Sequence, residues 1–184
     1  AFNYYALKTV LQECLSRKKR YAIVCMVLDE ASIIENYARN NVISDVLIEI
    51  KSFVERNFKT PCYRMNRMTL VFLLDNKKLT KLDLYLDILY ERFSQNWELK
   101  DRSVRLNAHA DVLCCPEDFP FDGNVQELLD FAEDSETYSQ SVGFIKRIDE
   151  KAREKRIRRR KIIHIMSEAI KEDGIEMYFQ PIYC

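Results

Sequence analysis

Apolar side chains follow two different spacings along the first third of the chain. Between residues 2 and 16 they recur every three or four positions, which predicts a helix that ends at the basic run Arg17–Arg20. The unbroken apolar run Tyr21–Leu28 is short and contains β-branched residues, so it predicts a buried strand. From Val42 to Phe58 the helical spacing returns and predicts a long amphipathic helix.

The next apolar segments predict a β-hairpin. Cys62–Met65 and Met68–Leu74 lie on either side of Asn66 and Arg67. Two residues is a common hairpin loop length, and asparagine tolerates a positive φ. We therefore expect two antiparallel strands joined at Asn66 and Arg67.

The rest of the apolar pattern predicts an α+β fold. Leucines and phenylalanine at helical spacing mark a helix from Leu79 to Phe93, and residues 104–112 alternate as a half-buried strand. Asn124 opens a short helix with Glu127 at the capping-box position, and residues 144–145 suggest an edge strand. This order indicates a mostly antiparallel central sheet flanked by helices.

The composition changes to charge between Lys146 and Lys161. Such blocks are typical of a solvated helix or linker, and no aromatic residue interrupts this one as nucleic-acid stacking would require. A helix then runs to Gly174, after which Ile175–Ile182 predicts a new strand. The predicted divisions are a lead-in helix at 1–20, a domain at 21–148, a charged linker and helix at 149–173, and the start of another domain at 174–184.

Charge and cysteine spacing exclude several classes of protein. The 29 basic residues balance the 29 acidic ones, so the whole chain has no field that favours nucleic acid or an anionic membrane. No apolar run reaches the ~20 residues of a spanning helix, so we expect a cytoplasmic segment without membrane contact, although a parent protein could be anchored elsewhere. The six cysteines lack C-x-x-C spacing and indicate core thiols rather than a metal site.

Two stretches resemble the GGDEF family of nucleotide cyclases. Val27–Asn36, followed by Ile43–Leu47, is similar to the family's D-x-D-x-F-K-x-I-N-D and G-D-x-L-L patterns. The hairpin Tyr63–Leu74 matches the signature hairpin R-[LY]-G-G-[DE]-E-F-x-x-L-L in length and register, with Arg64 retained. Later, Leu128–Glu133 looks like the family's L-L-x-x-A-D helix.

The C-terminal segment resembles the entry strand of an EAL domain, the cyclic di-GMP phosphodiesterase family. Met177–Tyr183 contains Gln180, Pro181 and Ile182 and is similar to the family's Y-[YF]-Q-P-I pattern. An ordinary edge strand is the alternative, because proline is tolerated there. The resemblance implies a tandem protein whose own EAL domain is the partner of this chain.

The resemblance also implies that the cyclase site is degenerate. Its metal-binding carboxylates would fall at Val27 and Met68, and neither side chain offers the oxygen that magnesium prefers. The remaining signature positions hold Asn66, Arg67, Thr69 and Leu70 in place of two glycines, a glutamate and a phenylalanine. We therefore expect no catalytic residue, no bound metal and no cofactor.

Other positions of the family pattern are replaced as well. Ser32, Glu35 and Ser44 stand for its lysine, asparagine and aspartate, and the inhibitory R-x-x-D motif falls on Asn57 and Thr60. Asp29 remains, but a carboxylate after a strand is more often a cap or turn residue. His109, which we place on the polar face of its strand, and His164 have no catalytic relay around them.

Three functional hypotheses remain. The first is a catalytically inactive GGDEF-like domain that regulates an EAL phosphodiesterase or mediates dimerisation. The second is a GTP sensor that binds nucleotide without turning it over, with Arg67 near a phosphate. The third is an unrelated α+β domain that shares only the layer architecture.

Overall fold

The computed structural model describes residues 3–29, 41–99, 103–135, 143–172 and 174. The chain divides into two compact units, Ala1–Glu150 and Lys151–Cys184. The described strands all lie in the first unit, whereas the second is described only as a helix. No helix within the described ranges has both the length and the apolar character needed to cross a bilayer.

A five-stranded sheet forms the centre of the first unit. Its strands are β1 (Tyr21–Leu28), β2 (Cys62–Arg64), β3 (Thr69–Asp75), β6 (Ala108–Cys115) and β7 (Ile145–Arg147). They lie in the order β2-β3-β1-β6-β7, and only the β6–β7 pair is parallel. Two short strands, β4 (Trp97–Glu98) and β5 (Ser103–Val104), form a separate antiparallel ribbon.

Helices cover both faces of this sheet. The helices of this unit are α1 (Tyr4–Ser16), α2 (Asn41–Phe58), α3 (Asn76–Leu79), α4 (Leu82–Phe93) and α5 (Val125–Asp134). The last described helix, α6 (Glu150–Lys171), belongs almost entirely to the second unit. The main apolar core joins α2 and α4 to alternate residues of β1, from Ala22 to Leu28. The other residues of β1 are also buried, and α1 contacts α5. The predicted α+β fold with a mostly antiparallel sheet is thus confirmed.

The structure corrects three local predictions. The hairpin loop has three residues rather than two, because Met65 N donates to Thr69 O at 2.9 Å and leaves residues 66–68 in the turn. The helix expected from Leu79 to Phe93 begins only at Leu82, as α4. Leu79 instead ends the short helix α3, whose N-terminus Asp75 Oδ1 caps by accepting from Lys78 N. The strand expected at 104–112 is divided between β5 and β6.

Candidate functional site

The hairpin turn at which the sequence predicts a degenerate signature lies beside the C-terminal end of β1. Leu28 N donates to Met68 O at 3.0 Å, and Val27 pairs with Thr69 in the antiparallel register. The structure therefore brings the two predicted metal positions, Val27 on β1 and Met68 in the hairpin turn, close together at the C-terminal end of β1.

Asn66 determines the conformation of this turn. Its Oδ1 accepts hydrogen bonds from Met68 N at 2.9 Å and from Thr69 N at 2.8 Å. Arg64 Nε donates to Asn66 O at 3.0 Å and ties the first strand to the turn. Asparagine commonly caps turns in this way. Two backbone N–H groups of the signature are consequently occupied within the turn itself.

The residues at the metal positions do not fit magnesium. Val27 and Met68 each have 1% of their surface exposed, and Met68 belongs to the main core. Magnesium requires oxygen ligands in near-octahedral geometry, whereas these side chains offer an alkyl group and a thioether. Leu70, at the last signature position, is also buried in the core. The described residues include no group of three or more His, Cys, Asp or Glu side chains that could hold a metal ion.

Thr69 and Arg67 occupy contrasting environments. Thr69 is fully buried, and its Oγ1 has no hydrogen-bond partner among the residues described. Arg67 is exposed on the turn and already makes an interaction within the protein. Asp29, just after β1, is exposed, and its N–H donates to Asn107 O at 2.9 Å. Around the turn, Arg64, Arg67 and Asp29 are thus exposed, whereas Val27, Met68 and Leu70 are buried.

The positions of the inhibitory motif support the fold instead. Asn57 Nδ2 donates to Phe53 O at 2.8 Å within α2. Thr60 is buried, and its Oγ1 donates to Leu73 O at 2.7 Å on β3. Ser44 is exposed on α2. Ser32, Glu35 and the EAL-like residues Gln180, Pro181 and Ile182 lie outside the described residues.

His109 was wrongly expected on a polar face. His109 is 6% exposed and lies on β6 opposite Val27 of β1. Its Nε2 lies 3.2 Å from Ser135 O, just after α5. The alternating pattern of β6 indicated one covered face, but β6 is an interior strand, and its His109 contacts Ser135 just after α5. The apolar side of α5 was the sequence signal that could have indicated the burial of His109.

Among solved structures, those of GGDEF domains share this fold. The GGDEF domain of FimX from Pseudomonas aeruginosa matches 79% of this chain and 93% of its own, with 14% identity and a TM-score of 0.62. The GGDEF domain of YfiN (TpbB), also from Pseudomonas aeruginosa, matches 82% of this chain and 92% of its own, with 13% identity and a TM-score of 0.63. The diguanylate cyclase SiaD from the same organism, solved with its activator SiaC, matches 80% of this chain and 58% of its own, with 13% identity and a TM-score of 0.60.

Sequence comparison alone adds no relative. No protein-family model matches the chain, and no curated protein matches it. The likeness to the solved domains therefore concerns the fold alone. The chain has the GGDEF-like fold of the diguanylate cyclase domains.

Proposed function

We propose that this chain is a catalytically inactive GGDEF-like domain that regulates an EAL-type cyclic di-GMP phosphodiesterase domain following it in the same protein. The observation that carries the proposal is the burial of Val27 and Met68 at the two metal positions. A domain that keeps the cyclase fold without its metal ligands retains surfaces and helices through which it can influence a neighbour.

The chemistry of cyclic di-GMP synthesis explains why this burial matters. Joining two GTP molecules requires a divalent cation to offset the triphosphate charge and oxygen atoms to hold that cation. An apolar residue at each position removes the ligands and also removes the solvated space beside them. Asn66 further occupies the N–H groups of Met68 and Thr69, which then cannot donate to a phosphate.

Two features support an EAL-type neighbour as the partner. One is the resemblance of Met177–Tyr183 to an EAL entry strand. The other is the apolar side of α6, where five large side chains are 48–65% exposed within the described part of the chain: Ile162, Ile163, Ile165, Met166 and Ile170. An apolar helix face of this size normally packs against another element. The domain that begins a few residues later is the nearest candidate.

A turnover assay tests the inactivity of the chain. The purified protein is incubated with GTP and either magnesium or manganese, and cyclic di-GMP is measured by liquid chromatography. We expect no product above a protein-free blank. Sustained product formation would overturn the proposal.

The regulatory role needs the longer protein. Phosphodiesterase rates on cyclic di-GMP are compared for a parent carrying wild-type α6 and for one carrying Ile163→Glu and Ile170→Glu. We expect the phosphodiesterase rate of the substituted parent to differ from that of the wild type, because the substitutions place charge on the proposed contact. Exposed Lys155→Glu on the same helix is the control for charge alone. Identical behaviour of all three proteins would contradict the proposed contact.

GTP sensing without turnover is the second candidate, favoured by the exposed Arg67 on the turn. Isothermal titration with GTP and magnesium separates it from the first. Heat of binding that is lost in Arg67→Ala and kept in Lys161→Ala would favour the sensor. Absence of heat in the wild-type protein favours a regulatory domain that acts through its surface alone.

A further inference from the structure

A basic groove lies beside the opposite ends of β1 and β3 from the hairpin turn. It has a volume of about 590 Å³ and is lined by the run Arg17–Arg20 together with Asp75, Asn76 and Lys77. We use the name basic groove for these residues. Tyr21 and Asp75 pair at this end of the strands, and Tyr21 lies six residues along β1 from Val27. The groove is therefore roughly 20 Å from the turn.

The charges around the basic groove are only partly neutralised. Carboxylates are paired with three of the five cations of the groove: Glu13 with Arg17 at 3.2 Å and with Lys19 at 2.9 Å, and Glu117 with Arg20. Asp75 of the groove pairs with Lys78, which follows Lys77 but does not line the groove, at 3.4 Å. Lys18 and Lys77 make no ion pair within the described part of the chain. Six cations thus face three carboxylates, in a chain whose formal net charge is zero.

Backbone strain also occurs in the basic groove. Lys18 and Lys59 both have φ of 49°, and they are the non-glycine residues with positive φ in the described chain. Lys18 lies two residues after the end of α1, and the neighbouring Lys19 N donates to Cys14 O at 2.9 Å. Lys18 lines the groove, whereas Lys59 is outside its lining. Glycine adopts this conformation at lower cost, so Lys18 keeps a cationic side chain in the groove where the backbone alone would favour glycine.

We propose that the basic groove binds a compact, soluble anion that carries several phosphate groups. Arginine and lysine together suit phosphate oxygens, since guanidinium groups bind them in pairs and ammonium groups act as point charges. No aromatic side chain among the described residues lines the groove, which argues against stacked nucleobases. Its lining also lacks the apolar anchors of a peptide site, and its concave floor would not reach a flat membrane. The inference is independent of the proposed function, because the groove shares no residue with the hairpin turn.

Titration of the full chain with sodium tripolyphosphate at physiological salt tests the proposal. Lys18→Gly removes one unpaired charge while placing glycine at a positive φ, so its thermal unfolding midpoint should be no lower than that of the wild type. Lys18→Gly combined with Lys77→Ala should raise the Kd about tenfold. Weaker binding by a protein that is equally stable separates ligand contact from folding.

The basic helix α6 supplies the matched control. Arg158→Ala with Lys161→Ala removes two exposed charges from α6 and should leave the Kd unchanged. A larger loss in this control than in the groove variant overturns the proposal, because the anion then binds α6. Stronger binding of a polyglutamate peptide, or of phosphatidylserine vesicles, than of tripolyphosphate overturns it as well.

Discussion

The buried hydroxyl of Thr69 shows how a single side chain at the degenerate turn affects stability. Its Oγ1 has no partner among the residues described, whereas the hydroxyl of Thr60 donates to Leu73 O at 2.7 Å. A buried polar group without a hydrogen bond costs about 1–3 kcal/mol relative to a bonded one. The two threonines are both buried, so they form a matched pair.

Thr69→Val should therefore stabilise the protein. We expect the free energy of unfolding in urea to rise by about 1 kcal/mol, because an unsatisfied hydroxyl is replaced by a methyl group of similar size. Thr60→Val should lower it by about 1 kcal/mol, since it breaks a bond and leaves a carbonyl unpaired. Equal losses in both variants would show that the Thr69 hydroxyl has a partner in the folded protein.

Restoring a carboxylate at Val27 should destabilise the fold rather than create a metal site. Val27 is 1% exposed between Thr69 and His109, and a buried carboxylate that lacks a partner costs about 3–5 kcal/mol. The loss in Val27→Asp should shrink when the pH falls from neutral to mildly acidic, as the carboxyl becomes neutral. Val27→Asn is the control and should show no such pH dependence. Wild-type stability of Val27→Asp at pH 7 would contradict the buried environment described here.

The short β4–β5 ribbon is an element held in place by aromatic packing. Trp97 is 2% exposed, and its ring centroid lies 5.1 Å from that of Phe93 and 5.9 Å from that of Phe53. The guanidinium carbon of Arg92 lies 3.7 Å above the Trp97 ring, and Arg92 Nη1 donates to Asn96 O at 2.9 Å. One side chain of α4 thus fixes both the ring and the backbone that leads into the ribbon.

Arg92→Ala should loosen this ribbon. We expect the free energy of unfolding to fall by about 1–2 kcal/mol, from the loss of the cation–π contact and one hydrogen bond. Trp97 is the one tryptophan of the chain, so its fluorescence should shift towards longer wavelength as water reaches the ring. Arg56→Ala removes an exposed arginine whose one hydrogen bond among the described residues goes to Ser52 O, and it should leave the emission unchanged. A shift in both variants would rule out a specific contact with Arg92.

Elements with strong periodicity were predictable from the sequence. The bounds of β1 coincide with the apolar run Tyr21–Leu28, and Asn124 caps α5 by accepting from Gln126 N at 2.8 Å. The β4–β5 ribbon was missed because strands of two residues have no measurable period. The apolar pattern predicted the hairpin turn at the right place in the sequence. The third residue of the hairpin loop was not predictable, because it depends on the side-chain hydrogen bonds of Asn66, which residue spacing does not encode. The EAL-like strand stays a prediction.

At the scale of the whole molecule, neutrality conceals separated charge. The 29 basic and 29 acidic residues cancel, yet cations concentrate in the basic groove and along α6, while the base of the hairpin turn is apolar. The core itself holds ionisable groups that must remain uncharged. Cys62, Cys114 and Cys115 lie on strands of the sheet, where burial raises the pKa of Cys62 to about 12 and the pKa of Cys114 and Cys115 to about 11.

These thiols should make the fold sensitive to alkali. Because their pKa values are higher folded than unfolded, they favour folding fully below the unfolded pKa of about 8.5. That contribution is lost as the pH rises towards 11 and 12. The free energy of unfolding should fall by about 1.4 kcal/mol per pH unit in this window for Cys62, which is fully buried, and by less for the other two thiols. Cys62→Ala should flatten the decline in urea titrations between pH 9 and 11, while Tyr5→Phe, at a residue 75% exposed, should not. An unchanged slope in Cys62→Ala would mean that the Cys62 thiol ionises as readily in the folded chain as in the unfolded one.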